Sequence, residues 1–492
     1  MLESKKSKNS KDSNVYVKAL LFILIISFFL RVSLIRSGGQ YFWPDENRYQ
    51  TAYMAANHIW HNNDVKSALH LLHSADHFLF KVIAVIPATF QIAMIKYSKS
   101  NSNNPNPNPN STPNSKIPAL FFALFSLGNL LVLWGIVQRL GGSRRLCFMS
   151  TLFLSLSTTF LYYSRHLLPY DMAMFFGLSS VFFAITKRDI NIINQNYNSI
   201  FCGLLASCAF LTYNGYWILA LLSLLIHFML TYRSGLRNAL LAGISFILPI
   251  IILLIVSLLF VTNNTNNTNN TDLLHQFLAF SHTVTQGSFS EGLTLPFYYL
   301  WHAEHLILIF WGVAFIYGLI TIVILGERSQ VMIISVSSVI FIYLIMLLFS
   351  NFLQKFVVYG RIARQLVPFL SIIAAIFFER LWTSPLKGKK IASVIMLILL
   401  IQAGINFRVP LTQVFPDRFI QLATLLSLPS SEILYAYLIY PEPTVISDEG
   451  RRVILKKSHP LQFLPYQYEG FTPEQRLKLR SVDISMRLLQ KI

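Results

Sequence analysis

The chain has 492 residues, of which 54% are hydrophobic and 12% charged, and its mean hydropathy is +0.52. A soluble domain of this composition would expose its core to water, which excludes the soluble classes and indicates several membrane spans. The formal charge of +19 does not indicate a nucleic-acid partner, because Lys and Arg fall in short clusters between apolar runs. The three cysteines lie inside apolar stretches without metal-ligand spacing, so they support neither disulfides nor a zinc site.

The chain begins with a polar, basic segment over 1–18, followed by an apolar run over 19–35 without a clear cleavage site. This pattern predicts a cytoplasmic tail and a retained signal anchor. Further runs that approach the span length of about 20 residues predict an all-α membrane domain over 19–405 with about eleven transmembrane helices. After the first, the predicted spans are 117–137, 146–161, 171–186, 200–211, 216–230, 240–261, 305–325, 331–349, 366–381 and 391–405.

An ambiguous apolar run over 78–96 contains a lysine and a proline, and the positive charges decide its interpretation. If this run does not cross the membrane, the basic clusters between later spans fall on the side of the basic N-terminus. We therefore predict an interfacial or re-entrant helix on the outer surface. The same topology places the loops 36–116 and 262–304 and the C-terminal region 406–492 outside, with juxtamembrane helices in the first loop.

The C-terminal region differs abruptly in composition from the spans, with acids and bases mixed. Its segment TVISDEGRRVIL is typical of a hairpin that turns between Asp448 and Gly450. We therefore predict a small extracytoplasmic α/β appendage after the last span.

The stretch WPDENRY, just after the first span, places a proline before two adjacent acids, Asp45 and Glu46. Proline suits the first helical position and acids suit the first turn, so a helix is expected to begin here. Tyr49 and Tyr53 then lie one and two turns beyond Asp45 on the same side. Neighbouring like charges favour the protonated form of one acid, which suits a group that takes up a proton. We predict that both acids are catalytic and that both tyrosines bind substrate.

A second polar segment, YYSRHLLPYDMAMFFGL, ends one predicted span and opens the next. Asp171 lies at the entrance to the later span and has two interpretations. It is either a helix cap paired with Arg165 or His166, or a second catalytic acid that converges on the first. In the second case Arg165 and His166 are expected to bind substrate.

A third polar segment, KFVVYGRIARQLVPF, precedes a late span on the predicted outer side. Basic residues there oppose the positive-inside trend, so Arg361 and Arg364 need another reason to be present. An anionic ligand such as a lipid phosphate supplies that reason. Contact with anionic headgroups, without chemistry, is the alternative.

Two groups of histidines are considered as ligands of a divalent metal ion. His302, Glu304 and His305 open a predicted span from the outer side, where the alternative role is interfacial anchoring. The other group lies in the first outer loop, and a solvated polar face is the favoured interpretation of it. That group consists of His58, His61, His70, His73 and His77, with Asp64 and Asp76.

These residues together fit the transfer of a sugar from a lipid phosphate. A phosphate leaves without a general acid, whereas a glycosidic oxygen needs a protonated carboxyl group. Asp45 would deprotonate an acceptor hydroxyl that attacks the anomeric carbon, while Arg361 or a metal ion stabilises the departing phosphate. A single in-line displacement of this kind inverts the anomeric configuration.

Three segments resemble the multi-spanning GT-C glycosyltransferases, among them the protein O-mannosyltransferases and the aminoarabinose transferases of lipid A. The resemblance implies an extracytoplasmic active site in a bacterial plasma membrane, a polyprenyl-phosphate sugar donor, and a lipid, glycan or protein acceptor. It also implies a catalytic acid at Asp45, a second acid at Asp171, and a late arginine at Arg361, which precedes Pro368 by seven residues. The segments are WPDENRYQTAYMA, RLGGSRRLCFMSTLFLSLSTTFLYYSRHLLPYDMAMFFGLSSVFFA and GRIARQLVPFL.

The sequence also departs from that pattern. The lysine-proline-proline-leucine element of the aminoarabinose branch is absent, and only Lys81 stands near its place as a phosphate ligand. Two other classes stay open: a secondary transporter or lipid flippase, in which Asp45 and Asp171 couple to protons, and a noncatalytic envelope scaffold. The absence of an evident inverted repeat, and acids at span ends rather than mid-span, favour the transferase.

Overall fold

The computed structural model describes residues 2–38, 47–72, 77–101, 116–185, 192–232, 236–262, 295–353, 360–385, 387–412, 434–439, 442–446 and 452–454. Several predicted residues lie outside these ranges, so their predictions stay untested by the structure. They are Asp45, Glu46, His73 and Asp76.

The first half of the described chain is entirely helical, as expected of apolar segments whose backbone groups must be satisfied without water. Its long helices are joined by shorter segments, two of which, the turns Tyr163–Arg165 and Asn214–Tyr216, matter for the site. The helices are α1 (Leu2–Arg36), α2 (Asn47–Asn62), α3 (Val65–Leu72), α4 (Phe78–Asn101), α5 (Lys116–Arg139), α6 (Arg144–Ser155), α7 (Thr158–Tyr162), α8 (Tyr170–Ala184), α9 (Ile192–Thr212), α10 (Trp217–Thr231) and α11 (Leu236–Thr262).

The second half continues with helices and ends in three short strands. The helices are α12 (Leu295–Glu304), α13 (Leu306–Val323), α14 (Gln330–Leu347), α15 (Gly360–Ala363), α16 (Val367–Thr383) and α17 (Gly388–Thr412). The strands are β1 (Leu434–Ile439), β2 (Glu442–Ile446) and β3 (Arg452–Ile454).

Eight of the described helical segments are long and apolar enough to cross a membrane, or up to nine if the bent pair α6 and α7 forms one span. The prediction of about eleven spans was therefore too high. The run 146–161 is broken by a 65° bend, and 171–186 forms only the 15-residue helix α8. The run 200–211 is the apolar end of α9, whose first turns carry Asn and Gln. The chain is a multi-pass α-helical membrane protein.

The first loop contains the helices α2, α3 and α4, which pack on one another. The Tyr49 hydroxyl donates to Gln91 Oε1 at 2.8 Å, and Trp60 Nε1 donates to Thr89 Oγ1 at 3.1 Å. Both bonds join α2 to α4. The 78–96 run is thus part of a helix, and its position on the outer surface stays a prediction.

Helix α16 lies at the centre of the bundle. It packs against α6, α13, α14 and α17, and its residues from Val367 to Ile376 are all buried. Close packing elsewhere depends on small residues. A Cβ atom at Gly203 would lie 2.1 Å from the Ala242 carbonyl oxygen, so glycine lets α9 and α11 approach each other.

The C-terminal strands pair in the order β1-β2-β3, and both pairs are antiparallel. Ile446 pairs with Arg452 and Val445 with Val453, so β2 and β3 form an antiparallel pair, and the predicted turn between Asp448 and Gly450 lies outside the described residues. The appendage as a unit, and the domain boundaries, stay predictions.

Candidate active site at the broken helix ends

Three helical segments are interrupted by 3-10 turns, and these interruptions bring polar residues together. The turns are Tyr163–Arg165, Asn214–Tyr216 and Arg364–Leu366. A break inside an apolar helix is tolerated where the backbone lies buried in protein, and it places side chains that a continuous helix could not. Tyr170, at the start of α8, packs its ring against Tyr163 and Tyr213, with centroids 5.3 and 4.9 Å apart. The three chain regions therefore meet.

A buried ion pair joins Asp171 to Arg364. The Arg364 Nη2 atom lies 2.5 Å from Asp171 Oδ1, and the two side chains are 0% and 4% exposed. The described partner of Asp171 is therefore an arginine from a distant turn, and the predicted cap pairing with Arg165 or His166 stays a prediction. A buried pair of this kind lowers the large cost of burying either charge alone.

Arg361, one helical turn before Arg364, lies among aromatic rings. Its Nη1 atom donates to the Tyr170 hydroxyl, and its guanidinium carbon lies 5.1 Å from the Tyr170 ring and 5.4 Å from the Tyr213 ring. Tyr216 donates its hydroxyl to the Arg361 carbonyl oxygen at 3.3 Å. The arginine is only 4% exposed, so its charge is held in a region with little access to water.

Arg31 is a third buried arginine, and the sequence analysis missed it. It donates to the Ser27 carbonyl oxygen at 3.0 Å and to Ser126 Oγ at 2.9 Å, and it interacts electrostatically with Asp171 and Arg364. The sequence contains a signal for it, because Arg31 is the only charged residue in the apolar run 19–35. A charge inside an apolar span costs free energy and often has a function.

Three buried arginines, Arg31, Arg361 and Arg364, lie in this region, and Arg364 pairs with the buried carboxylate of Asp171. Guanidinium groups held away from water form strong charge-assisted hydrogen bonds, so the region suits an anionic ligand.

The described contacts of Arg165 are to backbone. Its guanidinium donates to the carbonyl oxygens of Gly38, Pro410 and Ser37 at 2.6, 2.7 and 3.2 Å. It therefore fixes the end of α1, immediately before the segment 39–46 that carries Asp45, to the end of α17. The group positions backbone, and its role as a substrate ligand stays a prediction.

Other predicted ligands are placed as follows. His166 is buried, with its ring 4.8 Å from the Tyr162 ring. Tyr49 is buried and bonded to Gln91, so its hydroxyl serves packing between α2 and α4, which does not support its predicted role as a substrate ligand. Tyr53 is half-buried, and burial raises the pKa of its phenol.

The start of α4 reaches the site through a histidine. The His77 ring lies 5.0 Å from the Tyr213 ring, and His77 is buried with a positive φ of 51°. The Lys81 amide bonds to the His77 carbonyl oxygen, so Lys81, itself buried, follows one turn later. The structure thus places His77 beside Tyr213 and Lys81 one helical turn after His77, and of the two only Lys81 was predicted as part of the donor site.

The predicted metal ligands His302, Glu304 and His305 do not converge. The His302 ring packs on Tyr298 at 4.5 Å, and His305 has a φ of 49° before α13. The Glu304 carboxylate instead accepts hydrogen bonds at the start of α7, and its burial raises its pKa. The donors are Ser157 Oγ (2.6 Å), Thr159 Oγ1 (2.6 Å), Thr159 N (2.9 Å) and Thr158 N (3.1 Å).

The histidines of the first loop also form no metal site within the described ranges, where no group of three His, Cys, Asp or Glu side chains could hold an ion. His58 is partly exposed and His70 is exposed, whereas His77 is buried beside Tyr213. Asp64 Oδ1 accepts from Ser67 N at 2.9 Å, which caps α3 and lowers the pKa of that carboxyl group.

The fold and the site together define a multi-pass membrane protein with a buried, positively charged cluster where broken helices meet. No protein-family model and no curated protein matches the chain. Solved structures do match it. ArnT from Cupriavidus metallidurans bound to undecaprenyl phosphate superposes with a TM-score of 0.51 at 14% identity, covering 86% of this chain and 65% of that chain.

The oligosaccharyltransferase of Archaeoglobus fulgidus in its apo form matches with a TM-score of 0.50 at 12% identity, over 84% of this chain and 58% of that one. The chain thus spans less than two thirds of either structure. Both matches are GT-C glycosyltransferases, so the GT-C fold that the sequence resemblance implied is confirmed.

Proposed function

We propose that this protein is an integral membrane glycosyltransferase. It transfers a sugar from a polyprenyl-phosphate donor to a hydroxyl group of an extracytoplasmic acceptor, with inversion at the anomeric carbon. The observation that carries the proposal is the group of buried arginines, Arg31, Arg361 and Arg364, which lies beside the Asp171–Arg364 ion pair and the rings of Tyr170 and Tyr213. A lipid phosphate is an anion that can reach such a site from the membrane while its tail stays in lipid.

Arg361 is the group to which we assign the donor phosphate. Its planar guanidinium can bond two phosphate oxygens and so stabilise the charge that develops as the phosphate leaves. Arg364, one helical turn after Arg361, adds positive charge, and its bond to Asp171 holds its side chain in place. Because the Asp171 carboxylate is engaged by Arg364, we assign it a positioning role rather than proton transfer.

The catalytic base in this proposal is Asp45. Arg165 binds the carbonyl oxygens of Ser37 and Gly38, which fixes the chain just before the segment that carries Asp45. A deprotonated acceptor hydroxyl attacks the anomeric carbon, the bond from that carbon to the phosphate oxygen breaks, and the proton remains on Asp45. The phosphate leaves as an anion paired with Arg361, so no general acid is required.

The solved structures support the choice of donor. ArnT was crystallised with undecaprenyl phosphate, a lipid phosphate of the proposed type, and this chain shares its fold. No step is assigned to a metal ion, because the described residues do not supply a set of metal ligands.

The first experiment identifies the reaction. Mass spectrometry of lipid extracts and envelope polymers, from cells with and without this chain, should reveal a hexose or pentose that depends on it. Purified protein is then supplied with undecaprenyl-phosphate sugars and the acceptor fraction. We expect transfer by the wild type, and no transfer with any donor would overturn the proposal.

The base is tested by Asp45→Asn, which keeps the size of the side chain. We expect turnover to fall about 10²- to 10⁴-fold, the usual contribution of a general base, with donor affinity little changed. Asp64→Asn is the matched control, since Asp64 is an acid of the same loop that caps α3. Near-normal turnover of the Asp45 variant would rule out this role.

The transporter alternative predicts a different result. In proteoliposomes a flippase or transporter would move lipid or solute across the bilayer without forming a sugar–acceptor bond. Uptake without product formation would favour that class over the transferase.

A further inference from the structure

The turn Asn214–Tyr216 carries an amide side chain that the proposed chemistry leaves unexplained. Asn214 is only 3% exposed, and neither of its amide atoms has a hydrogen-bond partner within the described structure. An unbonded buried amide is costly, since it loses its bonds to water and gains none. Its presence beside the charged cluster therefore needs a reason.

Gln365 brings a second amide to the same place. Its Nε2 atom donates to the Gly215 carbonyl oxygen at 3.1 Å, whereas its Oε1 atom is buried without a partner among the described groups. This bond joins the two turns directly, and the segment just before the second turn also packs on the first, because a Cβ atom at Gly215 would lie 2.4 Å from Ile362 Cδ1. The unbonded amide oxygens thus belong to adjoining turns.

Donors are unbonded there as well. Arg364 Nε and Nη1 have no partner in the described chain, although Nη2 binds Asp171. The residues around the two turns are aromatic, and we call them the tyrosine cluster. It consists of Tyr163, Tyr170, Tyr213 and Tyr216, whose neighbouring ring centroids are 4.9 to 5.8 Å apart.

The mixture of unbonded donors and acceptors selects the ligand chemistry. A phosphate group at neutral pH and a polyprenyl chain offer no hydrogen to the oxygens of Asn214 and Gln365. A sugar hydroxyl both donates and accepts, so it can bond amide oxygens, amide N–H groups and a guanidinium N–H group. Small-molecule sites typically combine apolar and aromatic walls with a few such polar groups that fix orientation.

We propose that Asn214 and Gln365, beside the tyrosine cluster, form the subsite that recognises the hydroxyl groups of the donor sugar. This inference rests on the proposed function, since it divides the donor between two sets of residues. Arg361 binds the phosphate, and the amide groups of Asn214 and Gln365 form hydrogen bonds with the hydroxyl groups of the sugar. A site built to bond hydroxyl groups discriminates strongly against a ligand that lacks them.

The test separates the two parts of the donor by using two probes on the full-length protein in nanodiscs. One probe is undecaprenyl phosphate, and the other is a panel of undecaprenyl-phosphate hexoses and pentoses. In Asn214→Leu we expect the best sugar-bearing probe to bind about 5- to 100-fold more weakly, with affinity for undecaprenyl phosphate unchanged. Asn238→Leu is the matched control, because Asn238 is a buried asparagine that is bonded to Gln195.

A purely structural role would give other results. If Asn214 only stabilised the fold or held a buried water, Asn214→Leu would weaken both probes equally or neither, and either result overturns the inference. So does a wild type that binds every sugar-bearing probe no better than undecaprenyl phosphate. We also expect the melting temperature of the unliganded variant not to fall, because an unbonded amide has been removed.

Asn214→Ser serves as the second variant if the leucine variant does not fold. Serine keeps a donor and an acceptor, so we expect partial retention of sugar-dependent binding. Equal affinity of this variant for both probes would contradict the subsite. Failure of the proposed function is a distinct outcome, since the wild type would then bind not even undecaprenyl phosphate.

Discussion

Asp171 and Glu304 are both buried carboxylates close to helix ends, but their surroundings differ in kind. Glu304 accepts bonds from the hydroxyl and amide groups of Ser157, Thr158 and Thr159, all of them neutral donors. Asp171 pairs with Arg364, and two further arginines lie near that pair. Glu304 is surrounded by neutral partners, whereas Asp171 lies near three buried arginines.

The difference separates architecture from function. The Glu304 carboxylate meets hydroxyl and amide donors at the start of α7, so it joins α12 to the break in the α6–α7 span and leaves little capacity for a ligand. The cluster around Asp171 contains three buried arginines, and the Nε and Nη1 atoms of Arg364 have no hydrogen-bond partner among the described residues. Buried polar groups that remain unsatisfied in a native fold call for a ligand or a mechanistic role.

The sharpest test of this contrast is Asp171→Asn. It leaves the Arg364 charge buried without its partner, so we expect the free energy of unfolding to fall by about 3–5 kcal/mol, measured by thermal or denaturant unfolding in detergent. The double variant Asp171→Leu with Arg364→Met should recover most of the stability while still binding donor weakly. A single variant as stable as the wild type would show that the pair is not formed.

Arg361→Ala is expected to act on the ligand more than on the fold. Loss of a charge-assisted bond should weaken binding of undecaprenyl phosphate about 10- to 100-fold in a direct binding assay. Arg139→Ala is the matched control, because Arg139 also stacks on an aromatic ring, Phe182 at 3.7 Å, but at the other end of α8. Unchanged affinity in the Arg361 variant would remove that residue from the donor site.

Arg165→Lys should separate positioning from binding. Lysine keeps the charge but cannot reach the carbonyl oxygens of Ser37, Gly38 and Pro410 together, so the segment that carries Asp45 is held less firmly. We expect kcat to fall about 10-fold while the KM for the donor stays within about twofold. An effect on KM alone would show that Arg165 binds the substrate.

The smallest predicted effect is that of Glu304→Gln, and it is measured as a change in how stability depends on pH. Burial raises the pKa of Glu304 above its ordinary 4.5, so the folded chain binds this proton more tightly than the unfolded chain. That contribution to stability is complete below pH 4.5 and is lost as the pH rises through the folded-state value. Glutamine removes the dependence, so the variant should gain stability relative to the wild type as the pH rises above 4.5, measured as a melting temperature difference of about a few degrees.

Asp64→Asn is the control for this measurement. The hydrogen bonds from Ser67 lower the pKa of Asp64 below its ordinary 3.8, so its contribution is present at neutral pH and is lost as the pH falls. The two variants should therefore change the pH dependence of unfolding in opposite directions. A Glu304 variant with the same pH dependence as the wild type would contradict the assigned burial effect.

Much of the architecture could be predicted from the sequence, because apolar runs and helix starts are local features. The membrane class and the GT-C fold are confirmed, whereas the ion pair between Arg364 and Asp171 was not predicted. The span count was too high because length and hydropathy do not reveal where a run is bent, as between α6 and α7.

The sequence by itself determined that the chain is a multi-span membrane protein and which short polar segments interrupt its apolar runs, since these properties depend on neighbouring residues. Only the tertiary structure decided how the buried polar groups pair. Arg364 reaches Asp171 across 193 positions, Arg165 donates to backbone carbonyl oxygens of two distant segments, and Glu304 accepts hydrogen bonds at the start of α7. Pairing depends on which helices pack together, and a buried charge takes whichever partner that packing brings within reach.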